Sequence, residues 1–445
     1  MIKKSTLFVL LAAIILGAVV YYFDGRSSKQ KKTPVDTTKP AFNLQASDIQ
    51  SFTLSRPSKT GETPIQFEKK DGTWIITQPV ETGADQPSVN GITDGIASAR
   101  ISQTEPGNPD RLKAYGLDPA EVSIDFQMKS GAKHTLLLGL RGFAGTSVYS
   151  VVDGGKNVLM LPVSLLTSAD KPLGELRDRT ILNVKSDEVT SFDLKNASGE
   201  LVADKQGSDW EFSKPSAGRA DSEAIGQLLA PLESGKFLSV ASETPEHPAK
   251  YGLEPPAITL KVEQGKNTET LLVGKKEGVN YYARDASRPV IFLIGSDLHD
   301  KLVEKFSDLR DKTVLHFEAE NINHVEVHNP SGLIAMTRKS AEDWSIDEPA
   351  NEKGKTASVW KIFSPIEGAR ADEVLDHPPA GITAKLAKPA IEVIFTKKDG
   401  SKLTLAISSP ENGFVYARTS EGPAVYKLKK DTLDDLDFTP AQVLF

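Results

Sequence analysis

The sequence predicts an α+β protein. It reads as three tandem related domains, each a mainly antiparallel sheet with about two to three helices, behind one N-terminal transmembrane helix. Three observations carry this reading. An uncharged apolar run occupies Leu7 to Phe23. A set of short motifs recurs in the same order with one period near 134 residues. Within each period, short alternating segments outnumber helical ones, the pattern of hairpins with helices on one face or end.

The apolar run, extended by Ser5 and Thr6, gives ~28 Å of helix at ~1.5 Å per residue, enough to cross a ~30 Å hydrocarbon core. Tyr21 and Tyr22 close it, where aromatic rings favour the interface. Val19 to Phe23 are bulky and offer no small-x-small cleavage site, which favours an uncleaved signal anchor over a cleaved signal peptide. The expected organisation is a short basic N-tail (1–6), the anchor (7–23), a basic flexible tether (24–40), and repeat domains at 41–180, 181–313 and 314–445. Residues 1–40 hold seven Lys/Arg against two Asp, a net +5, so a chain of net charge −7 carries −12 beyond them. Basic flanks attract anionic headgroups and the acidic body is held out in solvent. The Lys/Arg count on the two flanks, taken alone, leans toward a cytoplasmic body. The short basic tail ahead of the first apolar segment is also how export begins; this, together with the family resemblance given below, leads to the expectation of a single-pass protein of the bacterial inner membrane with a periplasmic or extracytoplasmic body.

The repeats are legible motif by motif. Trp74, Trp210 and Trp344 each follow a polar turn, 136 and 134 apart. Tyr115-Gly116-Leu117-Asp118-Pro119 returns as Tyr251-Gly252-Leu253-Glu254-Pro255. Leu136-Leu137-Leu138-Gly139 returns as Leu271-Leu272-Val273-Gly274. Leu176-Arg177-Asp178-Arg179-Thr180 returns as Leu309-Arg310-Asp311-Lys312-Thr313. Each copy opens on an alternating strand (Ile49 to Leu54, Val189 to Leu194, Ile322 to Val327), followed by a second strand and the tryptophan strand. An amphipathic helix comes next: Val89, Ile92, Ile96; then Ile225, Leu228, Leu229, Leu232 behind an Asp221 N-cap; then Val359, Ile362, Phe363, Ile366. The Tyr-Gly-Leu-acid-Pro element reads as a helix stop, with Ala380-Gly381-Ile382-Thr383 as its degenerate third copy. Further strands and a last helix, Ser296 to Phe306 in copy two, close the unit.

The chemistry is sparse. With no cysteine there is no disulfide framework, thiolate zinc site, catalytic thiol or lipid-modified cysteine. The acidic balance argues against a nucleic-acid surface. Phosphate-loop, dinucleotide, zinc-protease and nucleophile-elbow motifs do not occur, so no catalytic, cofactor or metal residue is assigned. His324 and His328 lie four apart on a strand, ~13 Å between their Cβ atoms, too far to share one zinc ion. Trp74, Trp210, Trp344, Gly116 and Gly252 read as repeat-core markers, since every copy needs its core. Arg177, Asp178, Arg179, Arg310, Asp311 and Lys312 are the most site-like residues and read as domain-junction or partner contacts.

These motifs resemble the bacterial domain-of-unknown-function family DUF4340, over residues ~45–445. The carrying residues are the tryptophan strands, the two Tyr-Gly-Leu-acid-Pro elements, the Gly139 and Gly274 motifs, and the Leu-Arg-Asp-basic-Thr endings. The resemblance implies one N-terminal membrane helix and genes beside gliding-type ABC transporter subunits. It implies no catalytic residue. The expected function is therefore a membrane-anchored scaffold or auxiliary subunit of an envelope ABC-transporter-type assembly, with inner-membrane or envelope proteins as partners. The alternatives are an envelope glycan-binding protein and a carboxylate-dependent hydrolase.

Overall fold

The computed structural model describes residues 39–106, 109–244, 246–341, 343–432 and 434–444. The expected N-tail, the anchor at 7–23 and all but the last residues of the tether lie outside them. Among the described residues no helix is long and apolar enough to cross a membrane.

Three nine-stranded sheets, each antiparallel throughout, repeat one strand order. Across the first sheet the strands run Thr82–Gly83, Thr73–Gln78, Ile65–Lys70, Ile49–Ser55, Val122–Met128, Lys133–Arg141, Ser147–Val152, Asn157–Pro162 and Gln103–Pro106. The second runs from Gly218–Arg219 at one edge to Ser239–Ser242 at the other, with Val189–Asn196 beside Ile258–Gln264 inside. The third runs from Thr356–Ala357 to Glu373–Leu375, with Ile322–Asn329 beside Ile391–Lys397. Each sheet is thus two meanders joined through their first strands, and the segment between the meanders supplies both edges. The chain divides into two compact units, one ending at Asp178 and the other beginning at Arg179. The second unit holds two sheets, so the boundary expected after 313 falls inside it.

The opening strands are not simple alternations. Ile49 and Phe52 are three apart, yet both are buried. The register slips between Ile49 and Ser51, and again between Val189 and Ser191 and between Ile322 and His324. A bulge adds one residue and turns the next side chain back to the same face. The tryptophans that follow the second strand are buried, at 0, 5 and 2% exposure. Trp74 meets Phe52 edge-on with centroids 5.3 Å apart, Trp210 lies 5.7 Å from Phe192, and Trp344 5.8 Å from Phe363. Over this layer lie the helices Gln86–Ser98, Ser222–Ser234 and Trp360–Glu367, each burying the expected apolar stripe. Asp85 and Asp221 cap the first two by accepting from backbone amides of their first turns.

The closing helix expected from Ser296 to Phe306 is broken into Ser296–Leu302 and Phe306–Leu309. A side chain from the end of the opening strand holds the break. Asn196 Nδ2 donates to the carbonyls of Leu302 and Glu304, at 3.0 and 3.1 Å. Asn329 does the same to Leu436 and Phe438, and Arg56 reaches Ala169 and Lys171 in the first sheet. These carbonyls would otherwise be orphaned where the helix stops.

Gly116 and Gly252 occupy the left-handed region at φ +65° and +70°. Their partners explain the Gly139 and Gly274 motifs: a Cβ at either would stand 2.2 Å from the carbonyl oxygen of Tyr115 or Tyr251. The third copy corrects the sequence alignment. Ala380 and Gly381 lie inside a helix, Ala380–Leu386. The buried Leu386 precedes its strand by the same interval as Leu117 and Leu253, and Ser408 stands where Gly139 and Gly274 stand. Without the tight carbonyl approach, the glycine is dispensable.

Replacing Gly274 by Ala is expected to cost about 1–3 kcal/mol in chemical denaturation, the usual penalty of overpacking against backbone. Gly226→Ala, on an open helical face with nothing within 4 Å, is expected to stabilise by about 0.5–1 kcal/mol. Equal effects from the two substitutions would contradict the assignment.

Candidate functional site

The Leu-Arg-Asp-basic-Thr motif finishes one sheet and starts the next. Leu176 and Leu309 are fully buried in the cores of their own repeats. Arg177 forms a backbone bridge with Ala84, and the Asp178 amide donates to Gly83 O at 2.8 Å, which pairs the outer edge of the first sheet. Arg310 bridges Ala220, and the Asp311 amide donates to Arg219 O at 3.1 Å, at the matching edge of the second. The following residues pair forward. Phe237 N donates to Arg179 O and Thr180 bridges Lys236; Ala371 N donates to Lys312 O at 2.8 Å and Thr313 bridges Arg370. The segments they join follow the long helices of the second and third repeats. In the third sheet the edge is met instead by Leu444, which bridges Ala357.

The side chains at the second of these splices form a charged cluster within the second unit. Arg310 is only 6% exposed. Its Nη2 donates to Asp376 Oδ1 at 2.7 Å, its Nη1 to Ala217 O at 3.2 Å, and its guanidinium stands 5.3 Å from the Phe306 ring centre. Gly218, at φ +149°, leaves room for it: a Cβ there would fall 1.8 Å from Nη1. Arg370 pairs at 2.7 Å with Asp221, the cap of the second repeat's helix.

Beside Arg310, His316 is held between two carboxylates. Its Nε2 lies 2.7 Å from Asp311 Oδ2 and its Nδ1 3.3 Å from Glu421 Oε2, which also accepts from the His316 amide at 3.1 Å. The hydrogen bond to Asp311, then that to Glu421, raises the imidazole pKa to about 9. Burial pushes Asp311 up, but hydrogen bonds from His316 and Thr313 outweigh it and hold the carboxyl at about 2. Glu421 is lowered against the effect of burial by the same imidazole. An imidazolium that donates from both nitrogens has no lone pair for a proton or a metal. Two carboxylates both kept ionised do not supply the protonated acid that glycoside cleavage requires. In this arrangement the imidazole ties the two carboxylates together.

These groups face an open cleft of ≈ 770 Å³, whose walls include Glu211, Arg219, Asp376, His377, Glu421 and Tyr426. Burial raises the Tyr426 phenol. His324 and His328 flank one acid: Glu326 lies 3.5 Å from His324 and 3.8 Å from His328. Among the described residues no group of three or more His, Asp or Glu could hold a metal ion.

A family model described as a domain of unknown function, DUF4340, matches residues 74–217 and 210–385, well over half of the chain. The chain belongs to the DUF4340 family. No curated protein matches it. The two DUF4340 matches start at or one period from Trp74, at the tryptophan strands, not at the opening strands of the sheets. Each therefore contains a Leu-Arg-Asp-basic-Thr splice in its interior. Sequence reasoning singled out Arg310 and Asp311 but missed Asp376, His316 and Glu421 as their partners, which lie up to 110 residues downstream of Asp311 and carry no local motif.

Removing Asp376 leaves a buried guanidinium without its carboxylate. Asp376→Ala is expected to cost about 3–5 kcal/mol, read from denaturant unfolding of the full chain, and Arg310→Met with Asp376→Leu to recover most of it. The His316 clamp sets a pH dependence. The imidazole pKa is raised on folding, so its contribution is full below the unfolded value of 6.5 and lost as pH climbs to about 9. Asp311, depressed from 3.8 to about 2, contributes above 3.8 and loses its effect toward pH 2. Wild type should lose stability between pH 6.5 and 9, and His316→Gln should flatten that slope. Parallel slopes would contradict the clamp.

Proposed function

We propose that this DUF4340 protein is a membrane-anchored, extracytoplasmic scaffold or auxiliary subunit of an envelope ABC-transporter-type assembly, acting by protein–protein interaction. The observation that carries the reading is the tandem construction, one nine-stranded sheet order built three times in a single chain. A sheet covered by helices on one face leaves the other to solvent. In the second sheet that open face carries Asp193, Lys195, Lys261, Glu263 and Arg284, a broad charged surface suited to a protein partner. The Leu7–Phe23 run and the charge step from +5 to −12 support attachment by one helix at the inner membrane, with the acidic body beyond it. The transporter enters through what family resemblance implies about neighbouring genes.

A second reading is glycan binding. The cleft of the second unit combines carboxylates, two arginines and Tyr426, the mixture of acceptors, donors and apolar ring that hydroxyl-rich ligands need.

Purified from membranes in mild detergent, the tagged full chain is expected to bring transporter subunits with it, identified by mass spectrometry. Their repeated absence would sink the scaffold. Glycan-array binding lost in Tyr426→Ala would favour the second reading. A reporter fused after Phe445 is expected to be active only outside the cytoplasm.

A further inference from the structure

The hairpin between Lys133–Arg141 and Ser147–Val152 holds the most exposed large apolar residue among those described. Phe143 is 107% exposed, and Leu140 beside it 46%. Exposing a whole aromatic ring to water at a loop tip is unfavourable, and the tip has no acidic residue: it reads Leu140-Arg-Gly-Phe-Ala-Gly-Thr146. The corresponding tip of the third sheet differs, since Phe414 there is half-buried with Lys427 Nζ 4.6 Å from its ring centre.

The place of this hairpin decides what covers it. Lys39 and Pro40, the first described residues, pair with Ile101 and Arg100. Ser102 donates to Met160 O at 3.0 Å, Ser147 pairs with Pro162, and Val163 N donates to Thr146 O at 3.1 Å. The point where the chain arrives from its N-terminal segment and the tip of the hairpin therefore lie at the same end of the first sheet. They are a few strands apart, ~15 Å at ~4.8 Å per strand. Residues 24–38 separate the apolar run from Lys39, a reach of at most ~50 Å when extended. Lys39 and Arg141 stand exposed around this end, with the charge that anionic headgroups attract.

We infer that the 140–146 hairpin is a second membrane contact, with Phe143 seated in the headgroup layer of an anionic bilayer and Arg141 and Lys39 on lipid phosphates. This rests on the anchor reading of Leu7–Phe23. A single ring binds membranes weakly, but a chain already held by one helix meets the bilayer as an intramolecular event, at high effective concentration. The contact would fix the orientation of the first sheet to the membrane and leave its opposite end outward.

The absence of native cysteine allows a direct test. Phe143→Cys and, at the opposite end of the same sheet, Ser130→Cys are labelled with an environment-sensitive fluorophore in the full chain. Each is reconstituted into vesicles of phosphatidylethanolamine and phosphatidylglycerol. The inference expects a blue-shifted emission at 143, quenched several-fold more strongly by headgroup-proximal nitroxide lipids than at 130. Raising the phosphatidylethanolamine fraction at the expense of phosphatidylglycerol should weaken the shift. Matching aqueous spectra at both positions, in a chain retained by alkaline carbonate, overturn the inference and leave the anchor standing. Release of the chain by carbonate overturns the anchor reading and the inference with it. A shift at 143 that appears only after transporter subunits are added overturns the lipid assignment in favour of a protein partner.

Discussion

The outer edge of an antiparallel sheet is a row of unpaired amides and carbonyls, and each repeat must deal with one. A free edge recruits other strands. Here the edge strand is only two residues long, as at Gly218–Arg219, and the chain leaving the last helix pairs with it through Arg310 and Asp311. The rest of the construction follows from that need. The last helix must break so that the chain can turn back, and Asn196 holds the broken carbonyls. The residue after the edge must be free to continue, and it pairs at once with the segment behind the next helix. The five-residue motif, read from the sequence as a domain-junction or partner contact, carries the same edge pairing in both copies.

Hydrophobic spacing made much of this legible. The helical stripes of Ile225, Leu228, Leu229 and Leu232 and the tryptophans were readable because burial imposes a period on the sequence. The ordered recurrence of motifs anticipated three sheets of one plan. What escaped was whatever depends on partners distant in sequence. The edge strands are too short to carry a period. The bulges after Ile49, Val189 and Ile322 look like imperfect alternation until the ladder is seen. The third copy was misaligned because Gly381 resembled the glycine of the motif, whereas the position is fixed by the distance from Leu386 to the following strand. In the charged cluster, Arg310 and Asp311 were noticed for their type. His316 was noticed only as one of a local group with His324 and His328, and Asp376 and Glu421 were invisible, because an ion pair leaves no trace in spacing.

That cluster is an unusual way to hold two sheets together. A buried ion pair rarely stabilises more than an apolar contact of the same shape, because desolvation offsets the Coulomb gain. What it provides is a single geometry. A guanidinium shared between Asp376 and the Ala217 carbonyl has one satisfactory position. An imidazolium between Asp311 and Glu421 has another. An apolar seam could slide by a fraction of a residue; this one cannot without stranding a charge.

Fixed geometry would matter for a chain held at one end, as we propose for this one. A single point of attachment does not by itself orient what it holds. Only a second contact can convert attachment into alignment. The first sheet would have the means, because its exposed phenylalanine and the basic Lys39 and Arg141 lie at the end where the chain comes in. In the proposed arrangement the charge step along the sequence would act in the same sense, with headgroups attracting the basic end and repelling the acidic body. The proposed alignment of the first sheet by lipid and the pairing of the second and third by charge would be separate devices, in separate compact units. Each restricts a different freedom of a chain whose use, as a scaffold, would lie in presenting its surfaces in a constant arrangement.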